Sequence, residues 1–237
     1  MAVFPTVRKS MSQPSVSDPH SSDGVSSLTD EDALALSALL SSRVCHDLIN
    51  PVGAIGSGLD VLDDPDMDPA MREAALDLIR SGARKALALL AYARLAYGAA
   101  GGFGVEIALK DAKAAISAVY ENLKPDLDWR LSGDMAAKDK VKALLILANA
   151  AADCVPRGGV VTIEGDIDTF AITAVGKRIY LQDDLVRALS GDARDITPKF
   201  TPALIAGQLI AAAGGAVDAQ ADAEKAKIVV RFSRSDK

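Results

Sequence analysis

Ser42-Arg43-Val44-Cys45-His46-Asp47-Leu48-Ile49-Asn50-Pro51 lies inside a helical pattern that starts near Thr29 and runs to about Leu62. The start is marked by Thr29-Asp30-Glu31-Asp32, a capping hydroxyl with a carboxylate three residues on. Acidic side chains there also face the positive end of the helix dipole. Leu36, Leu40, Val44, Leu48, Val52, Ile55, Leu59 and Leu62 follow at steps of three and four and make one apolar stripe. His46 is off that stripe: at about 100° per residue it falls roughly opposite the stripe's centre. Asn50 is one turn on and Arg43 one turn back, so the three are expected to share the solvent side.

A solvated histidine beside Asp47, with Asn50 and Pro51 one turn on, is a chemical constellation. A neutral imidazole with a pKa near neutrality can attack a phosphoryl group. Asp47 is expected to hydrogen-bond the ring or a neighbour and tune its basicity. Asn50 is suited to position a water or an incoming phosphoryl oxygen. Pro51 has no N–H, so the Asp47 carbonyl loses its helical partner and a bend is expected just past the histidine. The chain's other histidine, His20, sits in a low-complexity tail.

The 237 residues are 49% hydrophobic and 24% charged, a globular composition that allows one or two domains with their own cores. A net charge of -6 does not suggest a nucleic-acid partner. Residues 1–28, rich in Ser, Pro and Asp, read as a disordered tail and not as a secretory signal. No apolar run reaches the ~18 residues needed to span a bilayer; the longest are interrupted by Asn149 and Gln208. A cytoplasmic protein without membrane attachment is expected. Cys45 and Cys154 lie in separate predicted helices and imply neither a disulfide framework nor a zinc site.

After the first helix, Asp63-Asp64-Pro65-Asp66-Met67-Asp68-Pro69 is a turn, with Asp68 as N-cap and Pro69 at the first helical position. A second helix runs to about Tyr97 and is apolar on two sides: Leu76, Ile79, Ala83, Leu87, Leu90 and Tyr97 on one, Leu78, Leu89 and Tyr92 on another. Two apolar sides need more than one packing partner. An antiparallel hairpin that pairs with a second copy gives a dimeric four-helix bundle; the competing arrangement packs the second helix on the C-terminal part alone. The hairpin domain is placed at residues 29–98. Gly98-Ala99-Ala100-Gly101-Gly102-Phe103-Gly104 reads as a linker.

From 103 to 237 the texture is α+β. Strands are expected at Val105–Leu109 and Leu127–Leu131, hairpins at Val160–Gly165 with Phe170–Val175 and at Ala216–Ala219 with Lys227–Phe232. Helices are expected at Asp111–Leu123, Ala137–Val155, Asp183–Leu189 and Thr201–Ala213. The combination predicts an α+β sandwich, one sheet covered by helices on one face.

His46-Asp47-Leu48-Ile49-Asn50-Pro51 resembles the phospho-acceptor box of two-component histidine kinases: His, an acid, two variable residues, Asn or Thr, then Pro. The second domain resembles the histidine-kinase ATP-binding (Bergerat) domain. Leu145-Ile146-Leu147-Ala148-Asn149-Ala150 is similar to the family's N box, with Asn149 where its magnesium-binding asparagine stands. The adenine-reading D-x-G-x-G is replaced by Ala174-Val175-Gly176-Lys177-Arg178-Ile179. The G-x-G-L-G-L phosphate loop is replaced by Phe200-Thr201-Pro202-Ala203-Leu204, which has no glycine to bring backbone N–H groups to a phosphate. Together the two losses argue against ATP use.

A phospho-acceptor hairpin joined to a decayed nucleotide domain resembles the ChpT-type histidine phosphotransferases of bacterial phosphorelays over about residues 29–233. The resemblance implies a homodimer that takes a phosphoryl group onto His46 from the receiver aspartate of a hybrid histidine kinase. It then passes the group to aspartates of response-regulator receiver domains. Asp47 orients or tunes the ring. The position of Asn50 assists removal of phosphate from the regulator in related kinases. Arg43 is placed to meet a receiver's acidic pocket. No cofactor is expected, and Mg2+ would belong to the partner receiver. A soluble kinase with an atypical ATP site, or a non-catalytic regulator adaptor, are the competing readings.

Overall fold

Thr29 Oγ1 accepts from the Asp32 backbone N–H at 3.1 Å, and Asp32 Oδ2 accepts in return from the Thr29 N–H at 3.1 Å. This capping box opens helix α1, Asp30–Leu62, which runs on through Pro51. The computed structural model describes residues 29–98 and 106–233; the tail expected at 1–28 and the linker beyond Gly98 lie outside the described residues. Helix α2, Pro69–Ala96, begins where Asp68 Oδ1 accepts from the Ala70 and Met71 N–H groups at 2.8 and 2.9 Å.

The two helices close on each other through small residues. A Cβ on Gly82 would stand 2.6 Å from the Pro51 carbonyl oxygen, and one on Gly58 would stand 2.6 Å from Ile79 Cγ1. Both glycines are buried, with Ala75 and Ala86 beside them. Close packing of this kind fixes which turn of α2 faces the histidine.

The chain continues through β1 (Glu106–Ala108), α3 (Leu109–Tyr120), β2 (Asp126–Ser132), β3 (Met135–Ala137), α4 (Lys138–Asp153), β4 (Gly159–Asp166), β5 (Thr169–Gly176), α5 (Asp183–Leu189), α6 (Thr201–Ala212), β6 (Gly215–Ala221) and β7 (Lys225–Phe232). The main sheet is mixed, in the order β2-β4-β5-β7-β6, with β2 and β4 parallel and the other pairs antiparallel. Its strands alternate as a half-covered sheet should. Val161, Ile163, Phe170, Ile172, Ile228 and Val230 point into the core, while Val160 and Val175 stay exposed on the other face. This is the α+β sandwich expected from the sequence.

Helix α4 is apolar nearly all round, with Val141 and every residue from Ala143 to Ala148 buried, because it has partners on several sides. It packs against α6, α2, α3 and the sheet. Tyr92 and Ala96 of α2 belong to that same continuous core. The base of the hairpin and the α/β layer therefore share one interior.

Two expectations need adjustment. Strand β3 was not anticipated: Ile107 pairs with Ala136 in a small two-stranded sheet, a contact between distant segments that local pattern does not reveal. Helix α3 spans Leu109–Tyr120 and not Asp111–Leu123, because the Leu109 N–H donates to the Asp134 carbonyl at 2.8 Å and turns the chain early.

Candidate functional site

His46 stands in the middle of α1 with its side chain 77% exposed. Its Nδ1 lies 3.6 Å from Asp47 Oδ1, beyond hydrogen-bonding distance but within a small rotation of it. The other Asp47 oxygen, Oδ2, accepts from Arg43 Nε at 2.9 Å, one helical turn back. Asp47 therefore engages a neighbour and faces the ring at the same time. Asn50 is exposed at the same level.

Arg43 departs from expectation. The helical period alone places it in solvent, but its side chain is only 20% exposed, because the α/β layer covers that flank of α1. It lines a narrow cavity with residues of α4 and α6. Close by, Tyr92 and Tyr97 meet edge to face with ring centroids 5.7 Å apart, and the Tyr92 hydroxyl donates to the Leu145 carbonyl at 3.5 Å. Burial pushes both phenols above the ordinary tyrosine pKa. The Arg43 charge acts against that rise in both rings, which places it electrostatically at this pair.

All four residues singled out in the sequence line one cleft of about 190 Å³: Arg43, His46, Asp47 and Asn50 on one wall. The opposite walls come from α2 (Lys85, Leu89), from α3 and its end (Val119, Leu123) and from α4 (Asn149, Ala152, Asp153). Lys85, Asn149 and Asp153 were not read as site residues. For Asn149 the likeness to the N box was a signal, but it pointed to nucleotide chemistry. Lys85 and Asp153 carry no local pattern that marks them.

The adjacent cavity, at the start of α6, is filled from within. It measures about 30 Å³, space for roughly one water. Phe200, Ala203 and Leu204 are buried at the start of α6, and the buried Thr201 hydroxyl donates to the Thr197 carbonyl at 2.9 Å. Lys199 Nζ donates to Gln182 Oε1 at 2.8 Å across the mouth. Ala174 is 1% exposed inside the sheet. Among the described residues, no group of three His, Cys, Asp or Glu side chains converges as metal ligands. No helix among them is long and apolar enough to cross a membrane.

Residues 109–225 match the model of the histidine phosphotransferase C-terminal domain. Over 180 residues the chain is 40% identical to protein phosphotransferase ChpT of Brucella abortus (strain 2308), covering 71% of this chain and 84% of that protein. The chain belongs to the histidine phosphotransferase family. A solved bacterial phosphotransferase superposes with a TM-score of 0.74 at 35% identity, over 84% of this chain and 97% of the other. Membership makes the protein a phosphotransferase of phosphorelay type and not an ATP-dependent kinase. In a histidine phosphotransferase the cleft around His46 is the natural place to look for the chemistry, since His46 is the histidine among the described residues.

Proposed function

We propose that His46 is the phospho-acceptor, taking a phosphoryl group from a receiver aspartate of a hybrid histidine kinase and passing it to response-regulator aspartates. The observation that carries this is the orientation of an exposed imidazole whose Nδ1 faces Asp47 Oδ1. With the proton held on Nδ1, Nε2 keeps its lone pair and is the attacking nitrogen. The Nε2–P bond forms as the acyl phosphate P–O bond breaks, and the carboxylate leaves on the donor. Asp47 stabilises the positive charge that develops on the ring, and the proton is released to solvent. The second transfer reverses these events on the receiving aspartate. Both phosphorylated forms are reactive, so positioning supplies most of what the protein must contribute.

The protein works without ATP and needs no cofactor of its own; Mg2+ belongs to the acidic cluster of the partner receiver. The filled cavity at α6 and the buried Ala174 support this reading. Residues 29–98 act as the dimerisation and phosphotransfer domain and 103–237 as a degenerate ATPase-like domain, in the cytoplasm. Arg43 supports the receiver interface through Asp47 and the cleft wall, and Asn50 sits at the edge where an incoming regulator arrives. Exposed Ile49, Val52 and Leu59 on α1 and Leu87 and Leu90 on α2 favour a second copy completing a four-helix bundle. Sedimentation should give roughly twice the chain mass of 24.6 kDa; the mass of a single chain would count against the dimer.

The decisive test compares two incubations, one with ATP and Mg2+ alone and one with a hybrid kinase and its phosphorylated receiver. Acid-labile, base-stable phosphate is expected only in the second, and not in His46→Ala. Label with ATP alone would make the protein a kinase. Transfer that persists in His46→Ala would leave a regulator adaptor or another acceptor.

A further inference from the structure

We infer that Lys85 is the cation that holds the phosphoryl group carried by His46. The inference rests on His46 being the acceptor, and concerns how this chain accommodates the added charge.

Register comes first. Gly82 packs against the Pro51 carbonyl. In an antiparallel pair, three residues onward along α2 corresponds to three residues back along α1. Lys85 therefore faces the turn around Leu48, between His46 and Asn50, and it lines the cleft with both. It is half-buried, with a stem long enough to move its ammonium over several ångströms of that cleft.

Charge comes second. A phosphoryl group adds nearly two negative charges near neutrality. The cleft already holds the carboxylates of Asp47 and Asp153. Asp153 is also the last residue of α4, so the negative end of that helix faces the same space. Two cations stand against this, Arg43 and Lys85. The Arg43 guanidinium is committed to Asp47 at 2.9 Å. Among the described residues Lys85 has no carboxylate within 4.0 Å. A half-buried lysine with no ion pair, in a cleft whose arginine is already paired and beside an exposed nucleophile, is poised for an anion that arrives later. Its ammonium offers donors to the equatorial phosphoryl oxygens as the group moves between Nε2 and the partner oxygen.

The test uses the full chain and phosphoramidate, a small donor that needs no partner protein. Imidazole Nε2 attacks phosphorus, the P–N bond breaks, and the displaced ammonia leaves as ammonium with the imidazole's proton. Phosphohistidine formation is followed for wild type, Lys85→Gln, Lys85→Arg and His46→Ala, with melting curves for each. Lys85→Gln should form phosphohistidine about tenfold more slowly, the size of one charge-assisted contact. Lys85→Arg should stay within about threefold of wild type, and both should melt like wild type. An unchanged rate in Lys85→Gln overturns the inference. So does an equal loss in both lysine variants accompanied by a lower melting temperature, which would mark a packing role. Equal labelling of His46→Ala and wild type would instead sink the acceptor reading on which the inference stands.

Discussion

The cleft at His46 and the cavity at the start of α6 share Arg43, Asn149 and Asp153 as a common wall, yet one is open and the other is filled. Around His46 the side chains are polar, partly exposed and loosely enclosed. At α6, Phe200, Ala203 and Leu204 are packed to within 8% of full burial, and little more than a water's volume remains. A site that must meet another protein keeps its reactive group outside. A cavity with no polar work to do is closed by the hydrophobic core, because apolar side chains gain more by filling a cavity than by lining one. The lesson is that one fold can hold an open polar cleft and a closed apolar cavity side by side, with Arg43, Asn149 and Asp153 lining both.

That comparison can be broken by a pair of substitutions with opposite consequences. His46→Ala should remove phosphate transfer to below a thousandth of wild type while leaving the melting temperature unchanged, since the ring is exposed. Phe200→Ala should do the reverse to stability, costing about 3–5 kcal/mol in denaturant unfolding. It should still bind no nucleotide, as read by fluorescent-nucleotide titration, because the cavity would gain room but no adenine-reading carboxylate. Nucleotide binding in Phe200→Ala would mean that the pocket is only blocked. Asp47→Ala should slow transfer about tenfold, roughly 1.4 kcal/mol, with the mass in solution unchanged from wild type; an unchanged rate would remove Asp47 from the mechanism.

The smallest effect concerns the buried tyrosines of the shared core. Burial raises the pKa of Tyr92, Tyr97 and Tyr120 in the folded protein. Their contribution to stability is present in full below the unfolded value of about 10, and is lost as pH climbs from there toward the folded values. Melting temperature should therefore decline above about pH 10, and less steeply in Tyr92→Phe. A flat profile across that range would contradict the buried placement of these phenols.

Much of this architecture could be read from local chemistry. The Thr29 capping box, the Asp68-Pro69 start and the Asp183–Leu189 helix announce themselves because their signals lie within a few residues. The exposure of His46 follows from helical period alone. Arg43 escapes the helical period for the converse reason: the layer that covers it comes from α4 and α6, about 100 and about 160 residues further along the sequence. Lys85 and Asp153 entered the site only when the glycine contacts fixed how α2 lies on α1 and α4 brought its end to the cleft. The β1–β3 pairing was invisible on the same ground.

The interior shared by Tyr92, Ala96 and α4 has a consequence for how partners are met. A kinase that phosphorylates itself must carry its nucleotide to its histidine, and so requires halves that travel. Here Tyr92 and Ala96 are packed into the same core as α4, so the base of the hairpin is held to the α/β layer by common packing. Packing of this kind lowers the ordering entropy that a partner encounter would otherwise cost.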